Sequence, residues 1–433
     1  MQVPTLDAKI LEERSYRKVA WRLIPFLFLC YVLAYLDRVN VGFAKLQMLS
    51  DLKFSDTVYG LGAGIFFIGY FLFEVPSNII LHRMGARVWI ARIMVTWGLL
   101  SAAMLWVSTP AMFYTMRFLL GVAEAGFFPG IILYLTYWFP AARRARVVAL
   151  FMTAIALSGV LGGPLSGWMM SHFEGVNGWH GWQWMFLLQG LPSAAVGIWV
   201  LFYLDDSIDA AKWLTAEEKA LLKANIAQDA VGKASLSTGQ VFANGRVWLM
   251  SAIYFCFIMG LYGVSFWLPQ LIKSTGVKDV LSVGLLTAIP YGCAALAMVL
   301  AARSSDRSGE RRWHIALAAL AGCLGLLLST VYGSNTVLAM AALSLATMGI
   351  LSCLPLFWTL PTAFLGGTAA AAGIAIINSV GNLAGFVSPF MVGAIKDATG
   401  QTSWGMLMLA ASLLLGALLV LLAVKLPARG QLR

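Results

Sequence analysis

About twelve apolar stretches, each near twenty residues long, recur along this 433-residue chain. They lie close to 21–44, 57–80, 87–108, 111–138, 147–170, 183–204, 246–272, 280–302, 314–333, 336–359, 368–392 and 402–425. Wound as an α-helix at about 1.5 Å per residue, a stretch of that length crosses the hydrocarbon of a bilayer. Inside lipid the backbone has no water to bond. Each stretch must therefore be a helix, whose own ladder satisfies its N–H and C=O groups. The expected fold class is an all-α integral membrane protein of about twelve transmembrane helices. Only 11% of the residues are charged, against about a quarter in a soluble domain. That balance excludes a large soluble enzyme.

The formal net charge of +11 does not point to nucleic acid, because the basic residues do not gather on one soluble face. They alternate between connections. Arg14, Arg17, Lys18 and Arg22 precede the first span; Arg83 and Arg87 follow the second; Arg143, Arg144 and Arg146 follow the fourth; Arg303, Arg307, Arg311 and Arg312 follow the eighth. The opposite connections carry few, mainly Lys45, Lys53, Lys273, Lys278 and Lys396. This positive-inside bias places both termini in the cytoplasm. Charged residues precede a full-length first span, so no cleavable signal peptide is expected. Cys30, Cys256, Cys293, Cys323 and Cys353 all fall inside spans without paired spacing. They read as packing residues, with neither a disulfide framework nor a metal site.

The one long polar stretch, 205–245, divides the spans six and six. The expected organisation is a cytoplasmic N-terminus (1–20), a six-helix bundle (21–204), a cytoplasmic linker (205–245), a second six-helix bundle (246–425) and a tail (426–433). Within the linker, Thr215-Ala-Glu217-Glu218 fits a capping box. The halves repeat weakly: Arg83-Met-Gly-Ala-Arg87 follows the second span and Arg307-Ser-Gly-Glu-Arg311 follows the eighth. Glycine permits a tight turn, and the arginines can bond helix ends or acids on neighbouring spans. Alone, either motif is ordinary positive-inside charge. As a matched pair at the same topological position, they suggest two repeats around a central site, an arrangement used by secondary transporters.

Four charges sit inside apolar stretches of the first half: Asp37, Arg38, Arg117 and Glu124. Charge at membrane depth is costly and defaults to a functional reading. If the first span ends near residue 44, Arg38 and Arg117 each lie about six residues, or roughly 9 Å, below the outer surface. Asp37 and Arg117 then share a depth and can pair. Glu124, two turns past Arg117 on the same face, lies near the midplane, flanked by Gly121 and Gly126, which admit close approach. Arginine presents a fixed fork that matches a carboxylate, and acids can exchange protons. Protonating an acid that holds an arginine frees the arginine for a substrate anion. The plain alternative is a static pair that fixes helix register.

The second half carries softer groups: Tyr254, Tyr262 and Gln270 in its first span, Trp358 in its fourth, and Asn378, Ser379 and Asn382 in its fifth. Asn378 and Asn382, four apart, share a face. Tyr31, Tyr35 and Arg38 share a face of the first span, and Tyr70 can join them. Glu74, beside Pro76, reads first as a structural acid that bonds nearby backbone. The small residues Ser158 to Gly167 around Pro164 read as a packing or gating element.

The stretches YLDRVNVGFA at 35–44 and FEVPSN at 73–78, the series Arg117, Gly121, Glu124, and SSDRSGERRW in the second half resemble the anion:cation symporter family of the major facilitator superfamily. The resemblance covers nearly the whole chain. It implies the major facilitator fold, two six-helix bundles, and proton symport of tartrate, galactonate, phthalate or 4-hydroxyphenylacetate-like acids. By position it implies proton coupling at Asp37 and Glu124 and substrate cations at Arg38 and Arg117. The implied aromatic and polar lining is Tyr35, Tyr70, Trp358 and Asn378. His82 stands where the superfamily motif usually has Asp, while the second half keeps Asp306.

The expected function is secondary active import of a small organic carboxylate with protons by alternating access. Arg38, Arg117, Tyr35, Tyr70, Trp358, Asn378 and Asn382 would hold the substrate, and Asp37 and Glu124 the protons. Arg83, Arg87, Asp306, Arg307 and Arg311 would gate. No cofactor beyond the proton is expected. The partners are an organic anion and the bilayer, with no nucleic acid, and the chain is expected to act as a monomer in the bacterial inner membrane. An organic-anion exchanger or exporter is the alternative, followed by a membrane sensor or non-transporting binding protein. No nucleophile–base set supports an enzyme.

Overall fold

The computed structural model describes residues 6–230, 243–364 and 367–423. The tail at 426–433, residues 1–5 and the linker stretch 231–242 lie outside the described residues. The twelve spans are helical. The first comprises Leu6–Val39 and Val41–Leu52, the second Asp56–Met84, the third Ala86–Ala103, and the fourth Pro110–Glu124 and Phe127–Thr136. The fifth is Ala141–His172 and the sixth Gly181–Tyr203. The second half follows as Gly245–Ser274, Val280–Ser308, Arg312–Val331, Thr336–Phe357, then Gly367–Asn382 with Ala384–Thr399, and Ser403–Ala423. Odd-numbered spans run from a near face, which holds the linker helix Ala216–Ala230, to a far face.

Local chemistry sets the helix starts. Ser55, Thr109, Asp279 and Asn335 each accept a hydrogen bond from the backbone N–H three residues on, which satisfies a donor that the helix leaves open. In the linker, Glu218 N donates to Thr215 Oγ1 at 3.2 Å and Thr215 N donates to the Glu218 carboxylate at 2.8 Å. This is the capping box the sequence suggested. Lys18 pairs with the same carboxylate at 2.9 Å and ties the linker helix to the first span.

Large apolar side chains such as Leu72, Ile198, Phe202, Leu296 and Leu422 lie exposed, as they must where lipid is the solvent. Exposed tryptophans form two rings. Trp21, Trp199, Trp248 and Trp313 stand toward the near face, and Trp106, Trp168 and Trp404 toward the far face. Aromatic belts mark the two membrane–water interfaces.

Among the described residues, three spans are broken at mid-depth, at Asn40, at Ala125–Gly126 and at Leu383. Gly126 takes a φ of +83° there, a left-handed conformation open to glycine at little cost. Interrupted helices inside a membrane occur where they line a protein interior rather than lipid. Arg38, Glu124 and Asn382 each lie within two residues of a break.

The first span runs farther than its hydropathy suggests, to Leu52 and not to residue 44. Lys45, which reads as a loop residue, is buried in the continuing helix. Arg38 is therefore fourteen residues short of the far end, about 21 Å deep.

The halves meet closely toward the far face along two seams. The second span packs on the eleventh, where a Cβ on Gly60 would lie 2.3 Å from Pro389 O. The fifth packs on the eighth, where a Cβ on Gly163 would lie 2.4 Å from Gly284 O. The small-residue run of the fifth span is thus a seam between halves. Gly163→Ala is expected to push this seam apart, since overpacking costs about 1–3 kcal/mol. Pulsed EPR between labels at Lys53 and Lys278, exposed on the far face of opposite halves, should show a longer distance. An unchanged distribution would refute the assignment.

Candidate functional site

Arg38 is the hub. From the first span its Nε donates to Glu124 Oε1 at 3.1 Å, and its Nη2 contacts the same oxygen. Its Nη1 donates to Tyr262 OH of the second half at 3.1 Å. All three side chains are buried. Glu124 lies fourteen residues past Pro110, the far end of the fourth span. Arg38 lies the same number of residues from Leu52, the far end of the first. Equal depth makes the pair possible, and the helix breaks beside both residues give it room.

The expected Asp37–Arg117 pair does not form. Asp37 accepts instead from Trp97 Nε1 at 3.0 Å and Ser101 Oγ at 3.0 Å, both on the third span, and from Ser193 Oγ on the sixth. The reason is depth. With the first span extended to Leu52, Asp37 lies about two turns deeper than Arg117. The surroundings of Asp37 suit a group that changes protonation. The tryptophan can only donate, but a serine hydroxyl can donate to a carboxylate or accept from a carboxylic acid.

Arg117 is fully buried but bonds backbone, donating to Gly62 O and Ala63 O of the second span at 3.3 Å each. Its Nη1 has no hydrogen-bond partner among the described residues. It packs 5.1 Å from the Phe66 ring, which Arg38 also approaches at 5.6 Å. Gly121, one turn on, lets the fourth span touch the second: a Cβ there would lie 2.0 Å from Phe66 O.

A cavity of about 40 Å³ lies between the halves beside Arg38. Tyr35, Tyr70, Asn378 and Asn382 line it, as do Tyr31, Tyr254 and Tyr262. Five of the seven sequence-derived substrate residues, counting Arg38, therefore converge. The other two do not line it. Trp358 stands behind Tyr254, ring centroids 5.0 Å apart, and Arg117 bonds the second span. Tyr35 OH bonds Ser265 Oγ at 3.1 Å, and Tyr291 OH donates to the same oxygen at 3.2 Å. The first of these bonds ties the cavity residue Tyr35 to the second half.

Glu74 does not simply bond nearby backbone. Its carboxylate accepts from Asn378 Nδ2 at 3.3 Å and Ser379 Oγ at 3.0 Å, both on the second half. It clamps the halves on the near side of the cavity.

A second cross-half cluster, which the sequence reading missed, closes the far face. Asp56 pairs with buried Lys45 at 2.6 Å and with Lys396 of the second half at 2.9 Å. Lys45 Nζ lies 3.2 Å from the centre of the Trp267 ring and 4.5 Å from that of Tyr59, a cation–π box. Asp397 accepts from the backbone N–H of Asp56 at 3.1 Å and of Thr57 at 2.7 Å. The second half thus caps a helix of the first. Tyr59 OH donates to Phe266 O at 2.8 Å. The residues were visible as loop charges, but nothing along the chain signals that they meet.

The matched arginine motifs pair locally, the first with the start of the linker and the second within its own connection. Gly85 and Gly309 both have positive φ, +92° and +66°. Arg87 pairs with Asp206 at 3.6 Å, and Arg311 with Asp306 at 2.7 Å. Arg83 and Arg307 are exposed. Glu310, inside the second motif, accepts from the backbone N–H of Trp313 and His314. Partial burial opposes its ionisation, but those bonds hold its carboxyl below the usual range. At His82, where an acid was expected, Nδ1 bonds Tyr137 OH at 3.1 Å.

Residues 27–389 match the family described as Major Facilitator Superfamily. The chain is 52% identical over 414 residues to a protein of Agrobacterium vitis provisionally named a tartrate transporter, covering 95% of each chain. It is 40% identical over 411 residues to a quinolone resistance transporter of Acinetobacter baumannii, covering 94% of each. Among solved structures it resembles a bacterial homolog of the human lysosomal transporter Spinster in an inward-facing, occupied conformation. There the TM-score is 0.74 and the identity 16%, covering 94% of this chain and 96% of that one.

Proposed function

The chain belongs to the Major Facilitator Superfamily and is a membrane transporter, not an enzyme; on that premise we propose that it imports a small organic carboxylate by proton symport. The observation that carries this reading is the Arg38–Glu124 pair at the wall of the cavity. A guanidinium held by one carboxylate is preset to accept another. Protonating Glu124 from the far side removes its charge and frees Arg38 for the substrate. Tyr35, Tyr70, Asn378 and Asn382 supply hydroxyl and amide groups for an acid that carries hydroxyls. The relative named for tartrate supports that class.

Asp37 serves as the second proton carrier, since its serine partners can satisfy both protonation states. Arg117 would have to leave Gly62 and Ala63 to reach a substrate, so Arg38 is the first cation of the site. The basic near-face connections support a cytoplasmic near face, and the reading has the chain act as a monomer in the bacterial inner membrane. Import then needs the far-face cluster to part, the cavity to fill, and the Glu74 clamp to release on the near side.

Uptake into proteoliposomes under an imposed inward proton gradient tests this. Tartrate is expected to accumulate, and a protonophore to abolish the accumulation. Uphill uptake indifferent to the protonophore would overturn the symport. Drug export is the second reading, favoured by the relative named for quinolone resistance. It predicts proton-driven quinolone flux in the opposite direction and none for tartrate.

A further inference from the structure

Lys396 holds the Asp56 carboxylate, yet it also lines a crevice that nothing above uses. The crevice measures about 330 Å³ and opens on the far face, at the lower end of the range for small-molecule sites. Its walls carry Gln270, Ser274, Ser329, Gln401 and Ser403, with Lys396 the one charged residue among them. All of its lining residues belong to the second half. Asp56 belongs to the first half. When the halves part on this face, the crevice travels whole with Lys396, and Asp56 departs. Lys396 is left as an ammonium beside a set of hydroxyl and amide groups.

We propose that this crevice is a vestibule site for a small hydroxylated carboxylate, with Lys396 as its anion-binding group and the Asp56 carboxylate as the partner of that lysine when the far face is closed. Two observations support it independently: a carboxylate already sits 2.9 Å from Lys396 Nζ, and the adjoining space carries hydroxyl and amide groups on part of its wall and is large enough for a ligand. Lys45 and Asp56 sit on the first half and leave together, so the second half keeps Lys396 and Asp397. Lys396 then has no Asp56 carboxylate beside it and is open to another anion. A bound carboxylate competes with Asp56 and so favours the open far face, because a ligand shifts an equilibrium toward the state it binds better. The site does not depend on the central site or on its substrate.

The test is titration calorimetry of the full chain in lipid nanodiscs, with tartrate as probe and threitol as its uncharged counterpart. Asp56→Asn, which removes the competing carboxylate, is expected to tighten tartrate binding at least five-fold and to leave threitol without binding. Adding Lys396→Gln, or Ser329→Leu to fill the crevice away from the cluster, should cancel the gain. Adding Arg38→Met with Glu124→Leu, which disables the central site and leaves the crevice residues untouched, should preserve it. The proposal is overturned if Asp56→Asn gives no gain, if the gain survives Lys396→Gln or Ser329→Leu, or if it vanishes with the central-site changes. Should Asp56→Asn not fold, the tartrate-dependent rise in Tm of the wild-type chain is expected to fall by at least half in Ser329→Leu. Equal rises would refute the site.

Discussion

Glu124→Gln is expected to abolish concentrative uptake while the protein still folds, binds substrate and exchanges it. Glutamine keeps the shape of the acid and an oxygen for Arg38 Nε, which Glu124 now accepts at 3.1 Å. It carries no charge and takes no proton, so it imitates the protonated state permanently. Arg38 is then always available to a carboxylate, and the step that exchanges substrate for proton is gone. For a monoanion moved with one proton and no membrane potential, each unit of pH gradient supports about a tenfold concentration ratio, or about 1.4 kcal/mol. In proteoliposomes that ratio should fall to about one in the variant, with counterflow retained. Accumulation at the wild-type ratio would remove Glu124 from the coupling and leave Asp37 to carry it.

Arg38→Met should have the larger effect on stability. It leaves the Glu124 carboxylate buried with no cation in contact, since Arg117 bonds Gly62 and Ala63 instead. Breaking one partner of a buried pair costs about 3–5 kcal/mol, whereas replacing both with apolar groups is often near neutral. Arg38→Met is also expected to remove the bond to Tyr262 that ties the first half to the second. Its thermal midpoint in lipid should drop well below wild type, and carboxylate binding at the central site should disappear. Combining it with Glu124→Leu should return the midpoint close to wild type but leave central-site binding and transport absent. That contrast separates holding the helices together from holding the substrate. A double variant that transported would show that another cation, such as Arg117, serves the substrate.

The architecture was readable because its cause lies along the chain. An apolar stretch of membrane length has to be a helix, and the one long polar stretch divides those helices six and six. The candidate site was readable as a set of residues but not as a set of bonds. Arg38 and Glu124 were marked by charge at depth, and Tyr35, Tyr70, Asn378 and Asn382 by polarity on one face. The pairing was misjudged because hydropathy ended the first span near residue 44, whereas the helix continues to Leu52. Eight extra residues move Arg38 by about 12 Å, from the level of Arg117 to that of Glu124. Trp97, Ser101 and Ser193, the actual partners of Asp37, carried no signal, because a tryptophan or serine in a span reads as packing.

Hydropathy, spacing and charge by themselves determined the twelve helices, their division, the near-face excess of basic residues and the list of polar residues at depth. Each follows from the transfer of one chain segment from water to lipid. Only the tertiary structure decided which of those residues meet. Glu74 reaches Asn378 and Ser379, Asp56 reaches Lys396, and Arg38 reaches Tyr262, each across the boundary between halves. Such meetings depend on how the helices face and slide past one another. Close glycine contacts such as Gly163 on Gly284 set that arrangement, and no periodicity along a single strand of sequence encodes it.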